Sequence, residues 1–406
     1  MQNISIEWIL ILLSSIVVIS YLFSIISNYI KVPSVLLLLL AGIILRQIAT
    51  ARGWHLSIPG KAVEFFGVIG LVMIVLEAGL DLQLGRQKIK LINKSFLAAF
   101  FILILSIVAV TLVFYYRLHE PLRNCIVYAV PLSIMSSSIV IPSLHHLSEE
   151  KKEFLIYEAS FSDILGIILF NYFIGNKILT AIAIGAFFLN IFIVIVLSII
   201  FSALLFVVLT KAQTNIKFFL IFALLIILYE SGKLMGLPSL IIILFFGLLM
   251  RNWKLIKIPR LEAFFAGERV EQATHLLHSI TAETSFLIRT FFFLLFGYSI
   301  NLNAIASENI VILGSIVVLI LFVTRYLYLR FFLKESVYPE VFFIPRGLIT
   351  VLLFYKIPAI YHPEKLEGGI LFFIVLVTSI IMMTGMIFYR KKEKDIVEEQ
   401  LLDRSS

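Results

Sequence analysis

Ionisable residues inside long apolar runs are the first candidates for chemistry in this sequence. Glu158 and Asp163 lie in one such run, in the segment YEASFSD. A charge at the centre of a bilayer costs at least about 2.5–3.5 kcal/mol on insertion scales, so a charge there indicates a function or a partner, with ion pathways and proton relays the usual functions. The other candidates, each in a further apolar run, are Glu77, Arg289, Arg325 and Arg346.

These charges divide into those that we expect to pair and one that we expect to titrate. Glu158 and Asp163 are five residues apart, which on a helix turns them about 140° from each other, so they face different neighbours. We expect Glu158 to form a structural ion pair with Arg325, and Asp163 to remain the free carboxylate. The alternative for Asp163 is a structural ion pair with Arg346 or Arg289.

Arg346 and Glu77 are supporting candidates. Arg346 lies between Pro345 and Gly347, so it either pairs with an acid or compensates the helix carboxyl ends that an interrupted helix leaves in the membrane. Glu77 lies near the cytoplasmic end of its run, where packing, snorkelling and an ion contact all fit its position.

The composition indicates that membrane helices position these residues. Of the 406 residues, 61% are apolar and 14% are charged, and the mean hydropathy is +1.06, whereas soluble domains are nearer half apolar and about a quarter charged. This excludes a water-soluble globule, and we attribute the net charge of +8 to basic loops rather than to nucleic-acid binding. The single cysteine, Cys125, excludes an internal disulfide and a zinc or iron–sulfur site, and we expect no cofactor.

Uncharged runs of 17 or more residues predict an all-α polytopic membrane protein with about 13 spans. Six spans fill residues 1–175, and a long uncharged run at 178–210 predicts one linker helix within 176–211. Six more spans fill 212–389, before a short charged cytoplasmic tail at 390–406. The predicted spans are 6–27, 33–49, 62–82, 93–115, 122–147, 152–173, 178–210, 216–231, 237–251, 280–300, 308–330, 338–357 and 366–389.

The parity of these spans predicts two inverted six-helix repeats, because the linker helix makes the second six begin from the opposite face. After the linker, the loops on one side of the membrane carry fourteen Lys and Arg and those on the other side carry three. This asymmetry predicts a cytoplasmic C-terminus and an external N-terminus. Charge alone leaves 13 and 14 spans open. The fifth span carries Pro131, serines at 136–138 and Pro142, and the twelfth carries Pro345 and Gly347 and is followed by Pro358. Such interruptions at equivalent positions of the two repeats are typical of transporter substrate sites.

Several motifs, taken in order, resemble those of monovalent cation:proton antiporters. They are LEAGL around Glu77, the acid five residues before an aspartate in Glu158 and Asp163, TFFFLLFG at 290–297, VTRYL around Arg325, and PRGL around Arg346. The resemblance covers nearly the whole membrane region. It implies a homodimer, crossing broken helices 5 and 12, and elevator-like movement of a core domain.

Two positions depart from that family. Ser162 stands where members have Asn or Asp before the essential aspartate. Ser136, Ser137 and Ser138 stand where many members have Thr-Asp-Pro, and they resemble instead the serine-rich version of the potassium-efflux branch. Ser162 can offer an oxygen but no second charge. The loss of the acid at the break leaves the choice between Na⁺ and K⁺ open.

The function that we expect is exchange of Na⁺ (or Li⁺) for H⁺, with one of each per cycle. Ionised Asp163 holds a dehydrated monovalent cation together with oxygens from Ser162, Ser136, Ser137 and Ser138, since hard oxygen ligands suit alkali cations. Protonation of Asp163 expels the cation, and the core crosses only when one of the two ligands neutralises the site. We expect a multi-pass protein of the cell membrane, the bacterial inner membrane being the expected case.

Other functions remain as alternatives. K⁺/H⁺ exchange is the close variant, and a Na⁺-coupled organic-anion symporter, with Arg289 or Arg346 binding a carboxylate, belongs to a different class. A channel would need an open pore. An intramembrane metalloprotease is disfavoured because the segment HHLSE at 145–149 is not His-Glu-x-x-His, and the protein is not expected to be an enzyme.

Overall fold

The computed structural model describes most of the chain. The described residues are 6–30, 34–52, 60–144, 147–175, 185, 189, 192–193, 196–201, 204, 218–234, 239–255, 268–300, 307–333, 337–361 and 369–405. The predicted linker helix at 178–210 therefore lies largely outside the described residues, as do His145 and His146.

The described residues form helices and connecting turns, without a strand among them. The α-helices are α1 (Ile6–Ile30), α2 (Ser34–Ala51), α3 (Gly60–Asp81), α4 (Ile89–Leu118), α5 (Leu122–Ser133), α6 (Ser137–Val140), α7 (Glu149–Gly175), α8 (Phe218–Leu234), α9 (Ser239–Arg251), α10 (Glu268–Ser299), α11 (Glu308–Tyr328), α12 (Leu348–Tyr355) and α13 (Gly369–Ser405). The all-α class predicted from the sequence is confirmed.

Among the described residues, six segments are long and apolar enough to cross a membrane, as expected of a multi-pass membrane protein. Charge boundaries placed most spans to within a few residues, but α10 begins at Glu268 rather than at 280, and α13 continues through the charged tail to Ser405. Both helices extend past their apolar segments, because backbone hydrogen bonds can continue a helix beyond the hydrocarbon core of the membrane. The six segments are Ser34–Ala51, Ile89–Leu118, Leu122–Ser143, Thr274–Ser299, Glu308–Leu333 and Gly369–Tyr389.

The described helices pack as two bundles. Bundle 1 contains α1, α2, α3, α8, α9 and α10, with α2 against α10 and α3 against both α9 and α10. Bundle 2 contains α4 to α7 and α11 to α13, with α4 against α5, α7 and α11, and α13 against α11. The bundles meet mainly where α7 lies on α9 and α12 lies on α3.

Glycine pairs bring the helices of bundle 1 into backbone contact at two crossings. Gly42 of α2 lies against Gly297 of α10, and Gly79 of α3 lies against Gly247 of α9. A Cβ atom on Gly79 would come within 2.6 Å of the Leu244 carbonyl oxygen. Both crossings therefore require glycine, as close helix packing in membranes commonly does.

Candidate ion-binding site

Two non-helical segments meet inside bundle 2. The chain leaves the helix after Ser133, runs through 134–136, and becomes helical again at Ser137, while residues 343–347 are non-helical before α12. Pro131 lies in the last turn of α5, where it removes one intrahelical hydrogen bond because it has no N–H. The Ser136 amide donates a hydrogen bond of 3.0 Å to the Pro345 carbonyl, so the two segments are in direct contact.

Glu158 and Arg325 form a buried, bidentate ion pair beside these segments. The two Nη atoms of Arg325 lie 2.6 and 2.9 Å from the two carboxylate oxygens of Glu158. Its Nε atom donates to the Glu340 carbonyl at 2.6 Å, and the Glu340 carboxylate in turn lies 2.9 Å from the Lys151 ammonium. Because one guanidinium binds both oxygens of Glu158, this carboxylate has an opposite charge matched to it in bidentate geometry.

Asp163 lies one and a half turns further along α7 and has a different environment. Its side chain is as buried as that of Glu158, with exposures of 2% and 1%. One oxygen, Oδ2, accepts a hydrogen bond of 3.3 Å from the Ser137 amide, and the other, Oδ1, has no hydrogen-bond partner in the described part of the chain. A buried carboxylate oxygen without a partner is costly, so this oxygen is available to a cation or a proton.

The break carries three buried serines, one of which contacts Asp163 through its amide. The hydroxyls of Ser136 and Ser138 are 2.9 Å apart, and Ser137 supplies the amide that reaches Asp163. The Ser162 hydroxyl accepts a hydrogen bond of 2.9 Å from the Met135 amide, which ties the non-helical segment 134–136 to α7. Since a hydroxyl oxygen has two lone pairs, Ser162 retains acceptor capacity after this bond.

Arg346 contacts main-chain carbonyls at the interruption. Its guanidinium donates to the carbonyls of Leu132 at 2.8 Å, Ser133 at 3.0 Å and Ile344 at 2.8 Å. These include the carbonyls that the last turn of α5 leaves without intrahelical partners. Of the two roles that the sequence allowed for Arg346, the geometry matches compensation of a helix carboxyl end.

Glu77 lies apart from this site, in bundle 1. Its carboxylate is 3.1 Å from the guanidinium of Arg289 in α10. Asp81, one turn further along α3, is 2.8 Å from His278, which also lies in α10. In the described structure Arg289 pairs with Glu77 and Arg346 donates to main-chain carbonyls, and neither forms an ion pair with Asp163.

Some contacts of the site could not be found by sequence reasoning. Thr378 of α13 accepts the Arg346 amide at 3.1 Å, and Glu340 binds Arg325 through its carbonyl rather than its carboxylate. In the sequence, Thr378 differs from its neighbours only as a polar residue in an apolar run, and many other residues of this chain have the same property.

Non-helical segments that meet beside a buried carboxylate inside a helical membrane protein are typical of secondary transporters. The family model for the transmembrane sodium/hydrogen exchanger matches residues 14–389, and the chain belongs to this family, within the monovalent cation:proton antiporter superfamily. Proteins of this family are transporters rather than enzymes.

Two solved structures show the same fold. The sodium proton antiporter MjNhaP1 from Methanocaldococcus jannaschii at pH 8 is 18% identical, with a TM-score of 0.71 over 94% of this chain and 100% of that one. An electron-microscopy structure of MjNhaP1 is 17% identical, with a TM-score of 0.67 over 98% of this chain and 99% of that one. No curated protein sequence matches the chain.

Proposed function

We propose that this protein exchanges Na⁺ or Li⁺ for H⁺ across the membrane, with Asp163 as the shared binding group. The observation that carries the proposal is the buried carboxylate whose Oδ1 has no partner in the described residues, next to a helix interruption that carries three serines. The family supports antiport of a cation against protons. The identity of the cation is part of the proposal.

The mechanism follows from competition for one carboxylate. Ionised Asp163 binds a dehydrated cation with the hydroxyls of Ser136 and Ser138, with Ser137 and Ser162 as further oxygen donors and with carbonyls freed at the break. A proton on Asp163 removes the charge and expels the cation. Because a bare charge is costly to carry through the membrane, the core crosses only when loaded with one ligand, and exchange becomes obligatory.

Alternating access fits the two bundles. We propose that bundle 2, which carries Asp163 and the interrupted fifth and twelfth helices, moves as a core against bundle 1. Inverted repeats would relate α2 to α9 and α3 to α10. The glycine crossings support this proposal, because the α2–α10 crossing would then correspond to the α9–α3 crossing. Gly42 and Gly247 are each followed four residues later by an arginine, Arg46 or Arg251, as equivalent positions would be.

The choice of ion has one close alternative. K⁺/H⁺ exchange is favoured by the neutral serines at 136–138, because a site with one carboxylate and neutral oxygens binds small, strongly hydrated cations less selectively. A Na⁺-coupled organic-anion symporter is less favoured, because the guanidinium of Arg346 is taken up by carbonyls and Arg289 is taken up by Glu77.

The assembly and topology belong to the same proposal. We expect a homodimer in the cell membrane with the N-terminus outside, the C-terminus in the cytoplasm and no cofactor besides the transported ions. Glu77 is a supporting residue in this scheme, in a pair that joins α3 to α10.

Proteoliposomes that contain a pH-sensitive dye test the function directly. Addition of Na⁺, Li⁺, K⁺ or Rb⁺ in turn should move protons against Na⁺ and Li⁺ in the wild type, and with none of the four in Asp163→Asn. A response to K⁺ and Rb⁺ alone would replace the Na⁺ assignment with the K⁺ alternative. Cation uptake without proton movement would refute antiport.

A further inference from the structure

Two hydrogen bonds that involve tyrosine hydroxyls join bundle 1 to bundle 2 in the described structure. One links Tyr229 of α8 to Lys356, and the other links Tyr157 of α7 to the backbone of Gln83. The bundles also meet through apolar packing, mainly of α7 on α9 and of α12 on α3. The two polar contacts are therefore distinct from the apolar contact between the bundles.

The first contact fastens the end of α12 to bundle 1. Lys356 directly follows α12, and its ammonium donates to the phenol oxygen of Tyr229, whose side chain is buried. The preceding residue, Tyr355, packs edge-on against Phe296 of α10 with ring centroids 6.5 Å apart. The last residue of α12 and the one after it thus contact two different helices of bundle 1.

The second contact fastens α7 to the turn after α3. The Tyr157 hydroxyl donates to the Gln83 carbonyl at 2.6 Å. Asn252, just beyond α9, accepts the Leu84 amide at 2.6 Å and donates to the Leu82 carbonyl at 2.7 Å. The segment around Gln83 is therefore held to bundle 1, whereas Tyr157 lies in bundle 2.

The two contacts lie at opposite ends of α7. Arg123 and Tyr361 both donate to the Ile174 carbonyl, so the segment after Lys356 adjoins the carboxyl end of α7. Tyr157 precedes Ile174 by 17 residues, which is about 25 Å along a helix. One contact therefore closes each end of the boundary between the bundles.

We propose that these two hydrogen bonds are opposing latches, each of which must break for the protein to open at its own end. This inference rests on the proposed function, because in alternating access the protein opens at one end only while the other end is closed. Loss of one latch then favours the state that is open at that end and depletes the state that is open at the far end.

Deuterium uptake by the full-length protein, measured by mass spectrometry, tests the latches in Tyr229→Phe and Tyr157→Phe. Each change removes one hydroxyl and keeps the ring. In Tyr157→Phe, peptides covering 82–88 should exchange roughly two- to tenfold faster, as expected for one lost hydrogen bond, and peptides covering 352–361 should exchange more slowly. Tyr229→Phe should give the reverse pattern.

Tyr361→Phe is the matched control. Its hydroxyl also donates to a backbone carbonyl, that of Ile174 at 3.3 Å, but both partners lie in bundle 2. It should leave uptake at 82–88 unchanged.

The reciprocal change at the far end decides the result. Faster exchange at both ends, or a change confined to the mutated end as in the control, would overturn the proposal. The pH-dye assay is run on the same wild-type preparation. Absence of exchange there refutes the proposed function, whereas the uptake pattern decides the latches.

Discussion

Glu158 and Asp163 lie on the same helix, five residues apart, and both are removed from water, yet their surroundings differ in kind. Arg325 binds both oxygens of Glu158 at 2.6 and 2.9 Å, whereas one oxygen of Asp163 accepts a single amide at 3.3 Å. The turn of about 140° between them directs one towards α11 and the other towards the interruption between α5 and α6.

Under the proposed function, this difference separates a structural charge from the charge that binds the transported ions. A buried carboxylate that is matched by a bidentate guanidinium has little to gain from a proton or a cation, because either would displace an existing partner. A buried carboxylate with an available oxygen gains from both. Burial alone does not distinguish the two residues, but their partners do.

The largest expected effect comes from removal of the Asp163 charge. Asp163→Asn should lose all cation-coupled proton movement, because an amide does not titrate and carries no charge for a cation. The protein should still fold, since no opposite charge is left unpaired. Proteoliposome exchange and a thermal melt in detergent, each with and without Na⁺, measure both properties.

Asp81→Asn is the matched control for this change. Asp81 pairs with His278 in bundle 1 and should retain exchange when altered. Residual coupled exchange above background in Asp163→Asn would remove Asp163 from the centre of the mechanism.

The second effect should appear in stability rather than in binding. Glu158→Gln and Arg325→Gln should each lower the free energy of unfolding by about 3–5 kcal/mol, because each leaves an uncompensated buried charge. The double variant should recover part of that loss. Simple additivity of the three shifts in melting temperature would argue against the pair.

Glu153→Gln serves as the comparison for the paired acid. Glu153 lies on the same helix and pairs with Lys88, but the side chains are 29% and 45% exposed. Surface pairs typically contribute between 0 and about 1 kcal/mol, so a small shift is expected.

A smaller effect should follow from loss of one neutral oxygen at the break between α5 and α6. Ser138→Ala removes a hydroxyl that lies 2.9 Å from Ser136 and should raise the apparent KM for the cation roughly two- to tenfold. Ser143→Ala, whose hydroxyl bonds the Ile139 carbonyl beyond the site, should leave KM unchanged. An unaltered KM in Ser138→Ala would exclude this hydroxyl from the cation shell.

Sequence reasoning reached the helices and the candidate charges because both leave local signals. Long apolar runs gave α1 to α4 within a few residues, and charges inside such runs marked Glu158, Asp163 and Arg325. The partner of Glu77 was not predictable, since Arg289 lies more than 200 residues away and has the same charge as Arg325 and Arg346. Contacts to main-chain atoms, such as Tyr157 to Gln83, leave no signal in residue types at all.

The last prediction concerns membrane potential, where the expected effect is absent. An imposed potential acts on a transport step only if that step moves net charge. In the proposed core, Glu158 and Arg325 cancel each other, and Arg346 keeps its charge in both halves of the cycle because a guanidinium does not lose its proton in proteins.

Only Asp163 then changes its ligand, and it is neutralised equally by one Na⁺ or one H⁺, so the core carries the same charge in both directions. Ser162 adds no second carboxylate beside it. Na⁺-driven proton movement in proteoliposomes should therefore keep the same rate when a potential is set with K⁺ and valinomycin. A clear acceleration would require a second proton carrier, and Glu158, released from Arg325 during the cycle, would be the first residue to examine. Ser162→Asp tests the same argument from the other side: if the fold tolerates two adjacent carboxylates, sensitivity to the potential should appear, because the core would then cross with unequal charge.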